Sequence, residues 1–295
     1  MNTRNIRTDL ACEAHELTKS TGNLDRIDGV TATIQDKNGF HVTKVVVEND
    51  NGANAIDKPI GTYITVDIGA FLRREEDAFI RAVHTVAHEL RDLMNINDDS
   101  SVLVAGLGND SITPDSIGPF TVKNTMVTRH VKAQLPEYFG SFRSVAAIVP
   151  GVLGTTGIES SELVRTTAEN IKPDVVIVID ALASRKLERL CSTVQLSDSG
   201  ITPGSGIGNA RNALNSTTLR VPVIAIGVPT VVDAATLVSD LLNDQYEVPE
   251  SLKNVIVTPK EIDKNASDIS KLIGYAINIS LHPNLTIEDV DMFLS

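Results

Sequence analysis

Hydrophobic and polar positions divide the chain into two regimes. From residue 101 onward, short continuous runs of Val, Ile and Leu alternate with helical patterns. Strand 101–106 precedes helix 117–133, strand 144–150 precedes helix 160–171, strand 174–180 precedes helix 182–191, and strand 221–227 precedes helix 233–242. Apolar runs without polar alternation fit strands covered on both faces, and the strand–helix alternation predicts a parallel or mixed sheet between two helical layers. Upstream, VTATIQD (30–36) and HVTKVVVE (41–48) flank Asn38-Gly39, a dipeptide that favours a tight hairpin turn. GTYITVDI (61–68) follows a second loop containing Asn51-Gly52, which completes an antiparallel unit at a sheet edge. The expected fold class is α/β: a three-layer sandwich with a mixed, largely parallel sheet plus an N-terminal antiparallel β-hairpin unit.

Residues 70–94 carry the clearest helical period, with Leu72, Phe79, Val83, Val86, Leu90 and Leu93 on one stripe. His84 and His88 lie off that stripe. The zinc-protease motif needs Glu directly after the first His, and here Glu89 follows the second, so a solvated polar face is the better reading. Thr258-Pro259 with Glu261 predicts a capped helix start for the segment 258–280. Residues 1–26 are polar and weakly periodic, a mobile or loosely docked arm, and 191–216 reads as loop.

With 295 residues and 42% hydrophobic content, the chain can bury a sizeable core, filled by aliphatic side chains because Trp is absent. A net charge of −12 disfavours nucleic acid and anionic membranes as partners. Cys12 and Cys191 cannot build a disulfide framework, which points to a reducing cytosol. The N-terminus lacks the apolar core of a signal peptide, and the most apolar later stretch, 221–238, is broken by Pro222, Pro229 and Asp233, so no membrane span is expected.

Two apolar runs end in aspartates. SVLVAGLGNDSITPDSIGP (101–119) delivers Asp115 ahead of a helical pattern, and PDVVIVIDALASR (173–185) carries Asp180. Ligands of open α/β sheets bind beyond the carboxyl ends of the strands. Two adjacent carboxylates there hold one proton more easily than two charges, as acid–base hydrolysis requires. Both residues fit helix caps equally well. GSGIGN (204–209) does not match G-x-G-x-x-G and reads as a loop lining the crevice rather than a phosphate cradle. Asp198, in Ser197-Asp198-Ser199-Gly200, has the local form of a pepsin-like motif, but such proteases need two of them in β-rich lobes, so Asp198 is expected at most as a substrate contact. Cys191 lacks a His partner nearby in sequence, no serine sits in G-x-S-x-G, and ligands for a structural metal are missing.

LGNDSITPDSIGP, AAIVPGVLGTTGIES, VIVIDALASRKLERLCSTVQLSDSGITPGSGIGN, VPVIAIGVPTVVDA and VTPKEID resemble the germination proteases of spore-forming bacteria, in order from about residue 6 to about 280. The resemblance implies an aspartic endopeptidase that degrades small acid-soluble spore proteins during germination. It further implies a fold shared with hydrogenase-maturation proteases, a homotetramer, no cofactor or metal, and a home in the cytoplasm of the spore core. The family's two essential aspartates fall on Asp115 and Asp180. Thr8-Asp9-Leu10-Ala11-Cys12-Glu13 has the form of the family's cleavage sites, which implies a zymogen cutting itself between Asp9 and Leu10, with an arm over 1–16 and one peptidase domain over 17–295. Only about nine residues would be lost, and the stretch from Asp240 to Thr258 is shorter than the family's usual connection. Arg185, Lys186 and Arg189, on the helix expected after Asp180, are candidates to offset an acidic substrate, Arg185 foremost because its planar fork binds carboxylates in pairs. A metal-assisted peptidase, or a metal- or ligand-binding protein of the same fold, are the competing readings.

Overall fold

Asn38 (φ 52°) and Gly39 (φ 80°) both take left-handed backbone, which a two-residue turn between twisted strands requires. They join β1 (Val30–Lys37) to β2 (Phe40–Val47), with Lys37 opposite Phe40. The computed structural model describes residues 7–22, 26–205, 208, 211–241, 249–252 and 255–295. Among these, β3 (Gly61–Asp67), β4 (Val102–Gly106), β5 (Val145–Ile148), β6 (Val175–Ser184), β7 (Thr193–Ser197), β8 (Val223–Asp233) and β9 (Ile256–Val257) complete one sheet. Its order is β1-β2-β3-β7-β8-β6-β4-β5, with β9 on β8. The sheet is mixed, as expected, but its parallel part is confined to β8-β6-β4-β5; every other pairing is antiparallel.

The antiparallel half is larger than the sequence suggested because Thr193–Ser197, within the stretch read as loop, is β7, paired antiparallel to β3 and β8; β6 also does not stop at Asp180. The segment expected as helix 182–191 instead continues the strand to Ser184, paired with β8 as far as Val232, and then passes through a short 3-10 turn, Leu187–Arg189, into β7. Each further ladder bond to β8 satisfies backbone groups that a helix start would leave open. A second correction concerns the Asn51-Gly52 loop, which is helix α2 (Asp50–Ile56), capped by the Asn49 side chain accepting from Gly52 N–H at 3.0 Å.

The arm is neither mobile nor loosely docked within the described residues. Leu10, Ala11, Cys12 and Glu13 are buried, and α1 (Ala11–Gly22) runs through position 16, where the arm was expected to end. The long helix expected over 70–94 is α3 (Gly69–Leu72) and α4 (Ala78–Met94), separated by Arg74 and Asp77 in left-handed backbone. Helix 117–133 is likewise split into α5 (Ile117–Lys123) and α6 (Arg129–Gln134). The Met126 N–H is taken by Asn278 Oδ1 from a distant helix at 2.9 Å, so it cannot extend α5. Short helices α7 (Pro136–Phe139) and α8 (Leu153–Thr156) precede α9 (Ser160–Ile171), and α10 (Ser216–Leu219) and α11 (Ala234–Leu241) flank β8. The capped start at Thr258 is not formed: α12 (Ile262–Leu281) begins at Ile262, and the Glu261 side chain makes no cap bond. α13 (Ile287–Leu294) closes the chain. Of the connection 240–258, residues 242–248 and 253–254 lie outside the described residues.

Residue parity sorts the sheet into two covered faces. Val175, Ile177 and Ile179 of β6 join Val194 and Leu196 of β7 under α4 and α12. Val176 and Val178 face α9 on the opposite side, while Leu10, Ala11, Tyr63 and Leu182 form a separate cluster under α1 on that same side. Between these two satellite clusters, crevices lined by Asp180, Leu182, Gln195 and Gly227 lie over the middle of the second face. No helix among the described residues is long and apolar enough to cross a membrane.

Candidate active site

The crevice that holds Asp180 begins where β4 ends. Gly108 sits at φ 108°, and a Cβ there would lie 2.0 Å from the Asp115 carbonyl oxygen, so only glycine lets the chain fold back this closely. Thr113–Asp115 then form a 3-10 turn, with the Asp115 N–H donating to Ile112 O at 2.7 Å and the Asn109 N–H donating to Asp115 O at 2.9 Å. Thr230 Oγ1 of β8 donates to Pro114 O at 2.7 Å and ties the turn to the sheet. Asp115 is thereby held half-buried. Burial pushes its carboxyl up to about 6, against the opposing effect of the Asn109 N–H.

Asp180 reaches the same place from β6, one residue beyond the last pairing with β4 and opposite Gly227 of β8. It is 5% exposed, and its Oδ1 accepts from the Ala181 N–H at 3.0 Å. Burial raises its carboxyl well above the usual range, and the charges of Asp115 and then Asp9 raise it further. Asp9, Asp115 and Asp180 all line one crevice of about 340 Å³, whose walls include Leu107, Ile112, Val152 and Leu153. Pro203, Gly204, Arg211 and Asn212 border it too, so the loop expected over 204–209 reaches the crevice at Gly204, and 206, 207 and 209 lie outside the described residues. The apolar walls keep the dielectric low around Asp115 and Asp180, and a low dielectric disfavours ionisation of both together.

Asp9 is seated by several contacts. Its Oδ2 accepts from Ala183 N–H at 2.8 Å and its Oδ1 from Ser205 Oγ at 2.7 Å. Lys58 Nζ donates to the preceding carbonyl of Thr8 at 2.9 Å, and Lys58 feels Asp9 as its leading attractive charge. Leu10 is fully buried. Gln195 is given no role by any of the motifs marked in the sequence. The one available signal for Gln195 was a lone amide inside the apolar run Thr193–Ser197, which must find partners if buried.

Two expected substrate contacts are engaged elsewhere. With the helix after Asp180 replaced by strand, the Arg185 side chain pairs with Asp240, while Lys186 and Arg189 both pair with Glu16. Asp198 is exposed; its Oδ1 accepts from Thr62 N–H at 2.7 Å, a link between β3 and β7 outside the crevice. Burial pushes the Cys191 thiol up to about 12, unsuited to a nucleophile. His84 and His88 are exposed on α4, and among the described residues no group of three or more His, Cys, Asp or Glu could hold a metal ion.

The chain matches the germination protease family model over residues 8–248. It is 43% identical to a germination protease of Clostridium perfringens strain 13, covering 99% of each chain. It is also 43% identical to one from Caldanaerobacter subterraneus subsp. tengcongensis (98% of each) and 34% identical to one from Halalkalibacterium halodurans (98% of this chain, 97% of the relative). Among solved structures it is similar to a NiFe hydrogenase maturation protease, HycI, from Thermococcus kodakarensis KOD1. That likeness has a TM-score of 0.36 at 17% identity and covers 64% of this chain and 97% of that one.

Proposed function

We propose, from the premise that this chain belongs to the germination protease family, that it is an aspartic-type endopeptidase. On this reading it cuts its own chain between Asp9 and Leu10 and then starts the breakdown of small acid-soluble spore proteins in the germinating spore. A peptidase role in germination comes with the family. The aspartic mechanism is carried by one observation: Asp115 and Asp180, brought from two different strand ends, share a crevice in which both carboxyls are raised.

The two groups titrate as a unit that holds one proton near neutral pH. Asp180, the deeper of the two, keeps that proton, and Asp115, ionised above about 6, is the base. Asp115 takes a proton from a water whose oxygen attacks the scissile carbonyl carbon. Asp180 gives its proton to the departing amide nitrogen as the C–N bond breaks. The cycle leaves the proton on Asp115 instead of Asp180, and exchange with solvent resets the pair.

The self-processing part is supported by the place of Asp9 in the same crevice. The remaining chain then acts as a single α/β peptidase domain, assembled as a homotetramer in the cytoplasm of the spore core, as the family resemblance implies. Incubation with a Glu-Ile-Ala-Ser-Glu peptide, read by mass spectrometry with and without a chelator, tests the proposal. Cleavage that survives exhaustive chelation is expected. Cleavage abolished by chelation points to a metal-assisted peptidase, and saturable binding without cleavage to a binding protein.

A further inference from the structure

Across the centre of the sheet three residues stand in register: Gln195 of β7 opposite Gly227 of β8, and Gly227 opposite Asp180 of β6. Residues in register present their side chains to the same face. Gln195 and Asp180 therefore look out on the same side of the sheet from two strands apart, roughly 10 Å at the backbone. Gly227 places no side chain between them; a Cβ there would lie 2.3 Å from Leu182 Cδ1.

Gln195 is 7% exposed and both ends of its amide are used. Its Oε1 accepts from the Ala11 N–H at 2.8 Å, and its Nε2 donates to the Asp9 carbonyl oxygen at 3.2 Å. One side chain thus grips the main chain on both sides of the Asp9–Leu10 bond. Because the Ala11 N–H requires an acceptor, the amide is oriented with its NH₂ toward Asp9 O. We infer that Gln195 is a positioning residue for scission between Asp9 and Leu10. It sets which bond lies in the crevice and supplies a donor to the carbonyl oxygen that becomes the oxyanion. Preorganised donors at that atom are effective where water is excluded. This inference rests on the self-processing reading proposed above.

The test follows maturation of the full-length chain by mass, from pH 5 to 8, for the parent, Gln195→Glu, Gln195→Met and Asp115→Asn. At pH 8 a glutamate carboxylate turns an acceptor toward the Asp9 oxygen, so Gln195→Glu should mature on the order of 10²-fold more slowly than the parent. As pH falls, the protonated carboxyl regains an O–H donor in the same place, so the ratio of Gln195→Glu to parent should climb. The ionisation of Asp115 affects both chains and cancels in that ratio. Gln195→Met, which cannot donate, should stay slow at every pH while melting near the parent; it decides the matter if Gln195→Glu does not fold. A residue that only docks α1 would give no climbing ratio. Parent-like maturation of Gln195→Glu at pH 8, or a flat ratio, overturns the inference while Asp115→Asn stays full length. A parent that never matures, or an Asp115→Asn chain that does, instead removes the self-processing reading and the inference with it.

Discussion

Asp9 and Ala183 bond to each other twice: the Asp9 N–H donates to Ala183 O at 2.9 Å, and the Ala183 N–H donates to Asp9 Oδ2 at 2.8 Å. Ala183 lies three residues beyond Asp180 on the same strand. The N-terminal segment is therefore fastened to the far end of the strand that carries one of the two proposed catalytic carboxyls. Extending β6 past Asp180 creates this anchor, because it presents the Ala183 N–H and carbonyl oxygen to Asp9, and the Arg185 and Lys186 N–H groups that follow donate to Glu13.

Asp115→Asn and Asp180→Asn should each lower cleavage of the Glu-Ile-Ala-Ser-Glu peptide by on the order of 10³-fold, since a unit of two groups loses its function with either one. Melting temperatures should be retained or rise, because each change removes an ionisable group from a site that resists its charge. Near-parental turnover by either variant would sink the aspartic assignment.

The pH dependence has a definite sign. An unfolded Asp carboxyl titrates near its model value of 3.8, whereas Asp115 in the fold titrates at about 6. Between these values the folded chain binds more protons than the unfolded one, so stability falls as pH rises. At full ionisation Asp115 costs about 2–3 kcal/mol relative to acid pH. Denaturant titrations from pH 4 to 7.5 should show a steeper loss for the parent than for Asp115→Asn. Turnover should run the opposite way on its acid limb, rising as Asp115 ionises and falling again once Asp180 loses its proton.

Gly108→Ala should cost about 3 kcal/mol or more, since it combines a positive φ with a Cβ 2.0 Å from Asp115 O. Relief requires Asp115 to move, so turnover in the folded fraction should drop as well. Activity per folded molecule, normalised by calorimetry, separates the two effects; an unchanged value would mean that this close approach does not set the position of Asp115.

Glu13, not Arg185, carries the specific anchoring charge. Its Oε2 accepts from Arg185 N–H at 2.6 Å and its Oε1 from Lys186 N–H at 3.0 Å, with the Arg189 guanidinium 3.7 Å away. Glu13→Gln should destabilise the full-length chain by about 1.5–3 kcal/mol and speed limited proteolysis near the N-terminus. Arg185→Ala removes the pair with Asp240 and should slow Glu- and Gln-containing peptides equally. A selective loss on the Glu peptide would restore Arg185 as a reader of substrate.

The sequence by itself determined what depends on near neighbours. The turn at Asn38-Gly39 follows from two residues that tolerate left-handed backbone, and the cores of β4 and β6 follow from unbroken Val and Ile runs. The motifs around Asp115 and Asp180 marked the two carboxyls. Tertiary structure decided the rest. The run Ala181–Ser184 is short and apolar enough for helix or strand, and only its pairing with β8 made it strand. That choice moved Arg185 out of the crevice and offered Ala183, Arg185 and Lys186 N–H groups to Asp9 and Glu13. Residues 10–14 are too few to show a period, yet they bury fully because β2, β3 and Leu182 supply the opposing apolar surface. Gln195 came onto the same face as Asp180 only through the register of three strands, a relation between distant positions that no local pattern encodes.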